Sequence, residues 1–197
     1  MATPLAHSAV GLAFGLARFR PLEAGNPEAR PGPAWRPLAV CVILANAPDV
    51  DYLFGLFAGR FNAFHQTVTH TGVWVAALAL ALWLLARGRR RTKPGWSFPF
   101  LLALLGSHLL LDWLTADYSP PAGLTIGWPW SDRIWHASVS LFPAPAKSGW
   151  ASLASWHNLR VLAWEAALTL PLPALAWLIQ SRRSGNSGST GSRAAVD

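Results

Sequence analysis

Four short segments of this chain carry histidine and aspartate at spacings suited to holding a metal ion. Pro48-Asp49-Val50-Asp51 places two carboxylates one residue apart, directly after a proline. His65-Gln66-Thr67-Val68-Thr69-His70-Thr71 offers two imidazoles. His108-Leu109-Leu110-Leu111-Asp112 puts an imidazole and a carboxylate at i and i+4, on one face of a helix. His7 lies alone near the N-terminus. Neutral imidazole with carboxylate is a ligand set for zinc, manganese or iron. No one segment is decisive. A single His and Asp on a helix face often form only a hydrogen-bonded pair, and Pro-Asp commonly marks a helix end.

The setting of these residues gives them weight. Of the 197 residues, 52% are hydrophobic and only 13% charged, about half the roughly 25% usual for soluble domains. There are 12 Trp, the residue of membrane interfaces. A net charge of +7 would suggest nucleic acid in a soluble protein. In so apolar a chain it fits basic loops on a cytoplasmic face, and no nucleic-acid binding is expected. Cys41 is the one cysteine, which excludes an internal disulfide and a Cys-rich zinc site.

Five apolar stretches must position the polar groups: Leu5 to Phe19, Pro37 to Phe57, Val68 to Ala86, Phe98 to Ala116 and Leu159 to Ile179. The first is shorter than the roughly 20 residues of a full span. Positive charge follows it instead of preceding it, so it does not read as a signal peptide. Pro48 is expected to break the second stretch, and Pro171 and Pro173 to kink the fifth. A Pro-rich loop covers Arg20 to Arg36 and a long Trp-, Pro- and Ser-rich loop covers Asp117 to Ser155. The expected architecture is all-α: a polytopic transmembrane bundle of about four to five helices with a polar site near one membrane face. Residues 1–180 form its one domain, followed by a disordered polar tail at 181–197.

If all five stretches span, 12 of the 16 Lys and Arg residues fall on one side. The positive-inside bias makes that side cytoplasmic. The C-terminal tail is then cytoplasmic, and the Trp-rich loop faces outward in a multi-pass inner-membrane protein. The same alternation brings His7, Asp49, Asp51, His65, His70, His108 and Asp112 towards the outer face, from four separate segments. A charge at mid-bilayer costs on the order of 2.5–3.5 kcal/mol, so a shared depth for these residues points to a common use. Seven candidates exceed the four ligands of a structural zinc. They suffice for two ions, or for one ion with carboxylates that orient its histidines. Glu165 either completes the pocket or pairs with Arg160. His136 and His157 read as surface groups. In Gly127-Trp128-Pro129-Trp130-Ser131-Asp132-Arg133, Asp132 and Arg133 are candidates for a lid that meets substrate, Arg133 through an anionic group.

The ordered set of an N-terminal His, PDVD, HQTVTHT, HLLLDWLT and GWPWSDR resembles the YdjM-like family of inner-membrane-associated, metal-dependent hydrolases. The resemblance covers about residues 4 to 180. It implies that His7, Asp49, Asp51, His65, His70, His108 and Asp112 form the polar signature. Two positions depart from the family pattern: Gln66 stands where Arg is usual, and Thr71 where Ser is usual. The function expected is hydrolysis of a lipid or lipid-linked ester, with one or two divalent ions, zinc first and manganese or iron next. Asp49, Asp51 and Asp112 serve as ligands or general bases. A metal- or proton-coupled transporter is the alternative, and a non-catalytic scaffold ranks third. Membrane lipid is the expected partner. Substrate identity and oligomeric state are open.

Overall fold

The apolar stretches fold as helices, and the polar motifs fall where those helices stop or start. The computed structural model describes residues 1–19, 35–59, 65–88, 95–118, 123–147, 152 and 154–190, with backbone alone at 56 and 183–190. Helix α1 (Pro4–Arg18) opens with a proline at its first turn after an extended Thr3, where the missing N–H costs nothing. Helix α2 (Trp35–Ala45) runs into a 3₁₀ turn, Ala47–Val50, and then a short helix α3 (Asp51–Phe57). The chain bends by 64° at this break. Pro48 causes it, since its ring cannot donate to the ladder and clashes with the preceding turn.

A second 3₁₀ turn, Val68–His70, leads into α4 (Gly72–Gly88). Thr71 Oγ1 accepts a hydrogen bond from the Trp74 N–H at 3.2 Å, which caps the helix start. Helix α5 is Phe98–Trp113. Helix α6 (Trp156–Thr169) is capped by the Ser155 hydroxyl, which accepts from the Asn158 N–H. Helix α7 (Pro171–Thr190) follows at once, with Pro171 and Pro173 in its opening turn.

Small residues set how closely these helices approach. A Cβ built on Gly11 would lie 2.8 Å from both Ala45 Cβ and the Cys41 carbonyl oxygen, and one on Gly15 would lie 2.9 Å from Leu38 Cδ2. The glycines four apart on α1 therefore let α2 lie against its backbone. On α5, Leu101, Leu104, Leu105 and Leu109 are buried in the same stripe as His108 and Asp112. Val75 and Ala79 of α4 pack against Leu101, Leu105 and Leu109 in one core cluster. Cys41 and Ala45 of α2 pack with Leu104 in another. Helix α7 lies along α1, where the Gln180 amide donates to the Ala17 carbonyl at 3.0 Å.

The all-helical expectation holds: among the described residues there are only isolated β-bridges and no strand. The membrane expectation holds in a coarser form. Trp156–Arg182, 27 residues, is long and apolar enough to cross a membrane, and the bent pair Trp35–Ala45 and Ala47–Gly55 adds a second if it counts as one span. Only 17% of the most apolar part of the long helix is buried. Leu172, Leu175, Trp177 and Ile179 point outward, unlike the core helix of a soluble domain. Helices α4 and α5 are apolar but have 17 and 16 residues, short of the roughly 20 of a full span. They are short because the polar motifs consume the ends of their stretches.

Helix α7 continues to Thr190, through residues expected to be disordered. Once a helix is nucleated by an apolar stretch, each added residue contributes a hydrogen bond without a new nucleus. Residues 191–197, most of the loop 20–36 and all but Arg87 of the basic run to Lys93 lie outside the described residues, as does Arg60.

Candidate metal centre

The start of α1, the break after α2, the turn before α4 and the end of α5 meet at one end of the bundle. All seven residues named from the sequence come together there. His7, Asp51, His65, His70, His108 and Asp112 are buried, and Asp49 nearly so.

The centre is built around two rings. His70 Nε2 and His108 Nε2 lie 3.2 Å apart. His108 Nδ1 is 2.8 Å from the Ala45 carbonyl oxygen, an acceptor only, so Nδ1 carries the proton and Nε2 the lone pair. His70 Nδ1 is 3.1 Å from Asp51 Oδ2, which fixes that ring the same way. Asp49 Oδ1 lies 3.6 Å from His70 Nε2 and 3.5 Å from His108 Nε2. Asp112 Oδ2 lies 3.4 Å from each. Two nitrogen lone pairs and two carboxylate oxygens thus face one another across a small space.

Asp51 has a different position. Its Oδ1 is 3.0 Å from His65 Nδ1. Its Oδ2 accepts from the Gln66 N–H at 3.2 Å and the Thr69 hydroxyl at 2.8 Å, besides His70 Nδ1. Four donors occupy one carboxylate, so Asp51 orients His65 and His70 and has little left for an ion. Asp49 is the reverse: neither oxygen has a hydrogen-bond partner. The two aspartates of PDVD, alike in the sequence, are separated by the 3₁₀ turn into distinct tasks. His65 is held by Asp51 on one side and stacked on the Tyr52 ring at 4.1 Å, which leaves its buried Nε2 without a partner. His7 stacks on His108 at 3.8 Å and brings Nε2 to 3.3 Å from Asp112 Oδ1.

These residues fit a divalent ion. Asp49 Oδ1, Asp112 Oδ2, His65 Nε2 and both ring nitrogens of His7 are buried without hydrogen-bond partners. Each such orphan costs about 1–3 kcal/mol, and more when charged. A tetrahedron with zinc–nitrogen and zinc–oxygen bonds of about 2.0–2.1 Å has edges of about 3.3–3.4 Å. Five of the six separations among His70 Nε2, His108 Nε2, Asp49 Oδ1 and Asp112 Oδ2 run from 3.2 to 3.6 Å, and Asp49, His70 and His108 form one group with converging ligand atoms. A cation between the rings would satisfy both Nε2 lone pairs and Asp49 Oδ1 together. His7, His108 and Asp112 form a second group with converging ligand atoms.

The model of the YdjM inner membrane protein family matches residues 1–184 of the chain. The chain belongs to that family. No curated protein and no solved structure matches it. Its two departures from the YdjM pattern acquire a structural meaning. Gln66 has a left-handed backbone, φ 60°, uncommon for a non-glycine residue, and contributes its N–H to Asp51. Thr71 caps α4 through its hydroxyl, a task serine performs equally well.

Other residues singled out in the sequence lie apart from the centre. Asp132 and Arg133 are exposed, and the Arg133 guanidinium sits 4.5 Å above the Trp135 ring. Among the described contacts none joins either residue to the cluster. Their loop is nevertheless fastened over the same end of the bundle: the Gly72 N–H donates to the Ile126 carbonyl at 2.9 Å, and the Ala116 N–H to Phe142 at 2.9 Å. Glu165 is buried and accepts from the Thr3 N–H and hydroxyl; it does not pair with Arg160. The adjacent Ala2 N–H donates to Asp112 Oδ1 at 2.8 Å, so Glu165 reaches the centre through this extended segment. His136 and His157 are exposed, as expected of surface groups. Sequence reading missed Asn46, whose amide donates to Ser8 Oγ at 3.1 Å and ties α1 to the break. Its one signal was an amide side chain beside Ala47-Pro48.

Proposed function

We propose that this chain is a membrane-bound, metal-dependent hydrolase of a lipid or lipid-linked ester, with its centre towards the outer face of a polytopic bundle. The observation that carries the reading is the pair of Nε2 lone pairs at 3.2 Å flanked by two carboxylates. His70, His108, Asp49 and Asp112 would hold the ion, with zinc the first choice for this nitrogen and oxygen set and manganese or iron next. A divalent ion here supplies Lewis acidity and lowers the pKa of a water bound to it to about 7.

The remaining residues orient groups and move protons. Asp51 and the Ala45 carbonyl fix the tautomers of His70 and His108, the arrangement that keeps imidazole ligands in register. His65, with Nδ1 on Asp51 and Nε2 free, is the acid–base group that accepts a proton from water and returns it to the leaving oxygen. His7 and Asp112 offer a place for a second ion. The 12-to-4 division of basic residues supports the outer placement. Exposed Trp128, Trp130 and Trp135 in the loop above the centre support an interfacial substrate.

A transporter needs polar groups continuing through the other half of the bundle. The stretches Leu78 to Leu85 and Phe98 to Leu105 are apolar throughout, which favours a closed centre. Purified protein in detergent should hydrolyse a micellar ester, lose that activity in a chelator and regain it with added zinc or manganese. Chelator-resistant hydrolysis, or none on any phosphoester or carboxyl ester tested, contradicts the reading.

A further inference from the structure

Beside the metal centre lies a cavity of about 360 Å³, within the usual range for small-molecule sites. Two of its wall residues touch the centre directly. Tyr52 stacks on His65, and the Ala2 N–H donates to Asp112 Oδ1. Leu162 of α6 and Pro145 of the long loop close it from the other side, so its walls are mainly apolar. Lys147 is the one charged side chain among the lining residues, and Asp117, Asp112, Asp49 and Asp51 are the acids whose field it feels.

The backbone beside Lys147 is clamped. Asn158 Oδ1 accepts from the Ala146 N–H at 2.7 Å, and its Nδ2 donates to the Ala146 and Ser152 carbonyls at 2.9 Å each. One buried amide side chain thus ties the residue preceding Lys147 to the loop beyond it through three hydrogen bonds. A surface lysine needs no such fixture. The arrangement presents the Lys147 ammonium, with the Met1 amino group near it, in a mainly apolar chamber that shares walls with the centre.

We propose that this cavity seats a phosphate monoester carrying an alkyl chain, with Lys147 as the residue that selects its anionic head group and Asn158 as the positioning residue. The proposal rests on the hydrolase reading and sharpens it. A phosphoester brings negative charge to the reacting centre and a carboxyl ester does not, so a lysine in the cavity beside that centre discriminates between them. The apolar walls take the first methylenes of the chain. Arg133, named for this task from the sequence, is on the outer surface over Trp135.

The test uses the full chain in detergent micelles, with metal content measured on every sample. Binding of dodecyl phosphate, inorganic phosphate and dodecanol is followed by calorimetry. Wild type should bind dodecyl phosphate about tenfold or more tighter than either of the others, about 1.4 kcal/mol. Lys147→Gln should lose about tenfold in dodecyl phosphate affinity at unchanged metal content, and Lys147→Arg should retain most of it. Leu162→Trp, which fills the cavity, should abolish the advantage of the alkyl chain while leaving inorganic phosphate binding intact. Unchanged dodecyl phosphate binding in Lys147→Gln or Leu162→Trp overturns the proposal. Equal binding of inorganic and dodecyl phosphate overturns its lipid part. Lys147-dependent binding by a wild type that holds no metal would keep the pocket and remove the hydrolase reading, so the two failures are distinct.

Discussion

His70 and His108 face each other through Nε2 atoms 3.2 Å apart, while the Nδ1 of each is engaged by a different acceptor, Asp51 and the Ala45 carbonyl. Both rings therefore present lone pairs to the same point. Carboxylate oxygens of Asp49 and Asp112 lie 3.4–3.6 Å from both Nε2 atoms. In a buried site that arrangement is unfavourable without a cation and favourable with one.

The two aspartates of PDVD should separate in a chelator-competition assay. Asp49→Asn replaces an oxygen that has no other partner and should remove most bound metal. Asp51→Asn disturbs only the orientation of His65 and His70, so affinity should fall by about 10–100-fold while stoichiometry at saturation is kept. Equal effects from the two variants would show that both bind the ion directly.

Removing metal should lower thermal stability. An ion at about a hundredfold excess over its Kd contributes about 2.7 kcal/mol. For a chain of this size that is about 5–10 °C in the unfolding midpoint. A scan with and without chelator measures it. The shift should be much smaller in His70→Ala, which removes a ligand of the first ion and leaves only the His7, His108 and Asp112 group.

Gly11 couples helix packing to the centre. A methyl group there would meet the Cys41 carbonyl oxygen and Ala45 Cβ at 2.8 Å, and the Ala45 carbonyl holds His108. Gly11→Ala should therefore cost about 1–3 kcal/mol and weaken metal binding as well. Gly106→Ala on α5, where a Cβ meets nothing within 4 Å, is the control and should leave both properties within experimental error.

Burial pushes the Lys147 ammonium down from its ordinary range, while Asp117, Asp112, Asp49 and Asp51 oppose that shift. The cation is complete below the lowered value and is lost as pH rises through it. Burial also lowers the Met1 amino group in the same cavity, so dodecyl phosphate affinity should fall on the alkaline side at a lower pH than free lysine would give, and the Lys147 share is the part that a change at Lys147 moves. In Lys147→Arg, whose guanidinium stays charged, that limb should move to higher pH. An identical profile in the two proteins would remove Lys147 from head-group binding.

Much of the centre was legible because apolar surroundings make each His and Asp conspicuous. His7, Asp49, Asp51, His65, His70, His108 and Asp112 stood out as polar residues in stretches that otherwise have no use for them. Helix alternation then brought them to one end. Pro48 announced the break that separates Asp49 from Asp51, but not which aspartate turns inward, because that depends on the geometry of a 3₁₀ turn. Glu165 was harder to place, since its partner Thr3 lies far along the chain, and nothing in the sequence around Lys147 marks it as lining a cavity. Arg133 lies apart from the cluster because a guanidinium beside exposed tryptophan gains a cation–π contact where it stands. Helix lengths were overestimated where an apolar run included the 3₁₀ turn before α4. Close packing at Gly11 and Gly15 is invisible to hydropathy, which scores glycine by its polarity and not by the approach it permits.

The most direct measurement is elemental analysis of the detergent-purified chain, beside His70→Ala and His108→Ala prepared identically. The account predicts at least one equivalent of a divalent transition metal in wild type, and its near-complete loss in both variants with helical content retained. A folded wild type that holds no metal after exposure to zinc, manganese and iron, or variants that retain the wild-type amount, would contradict it.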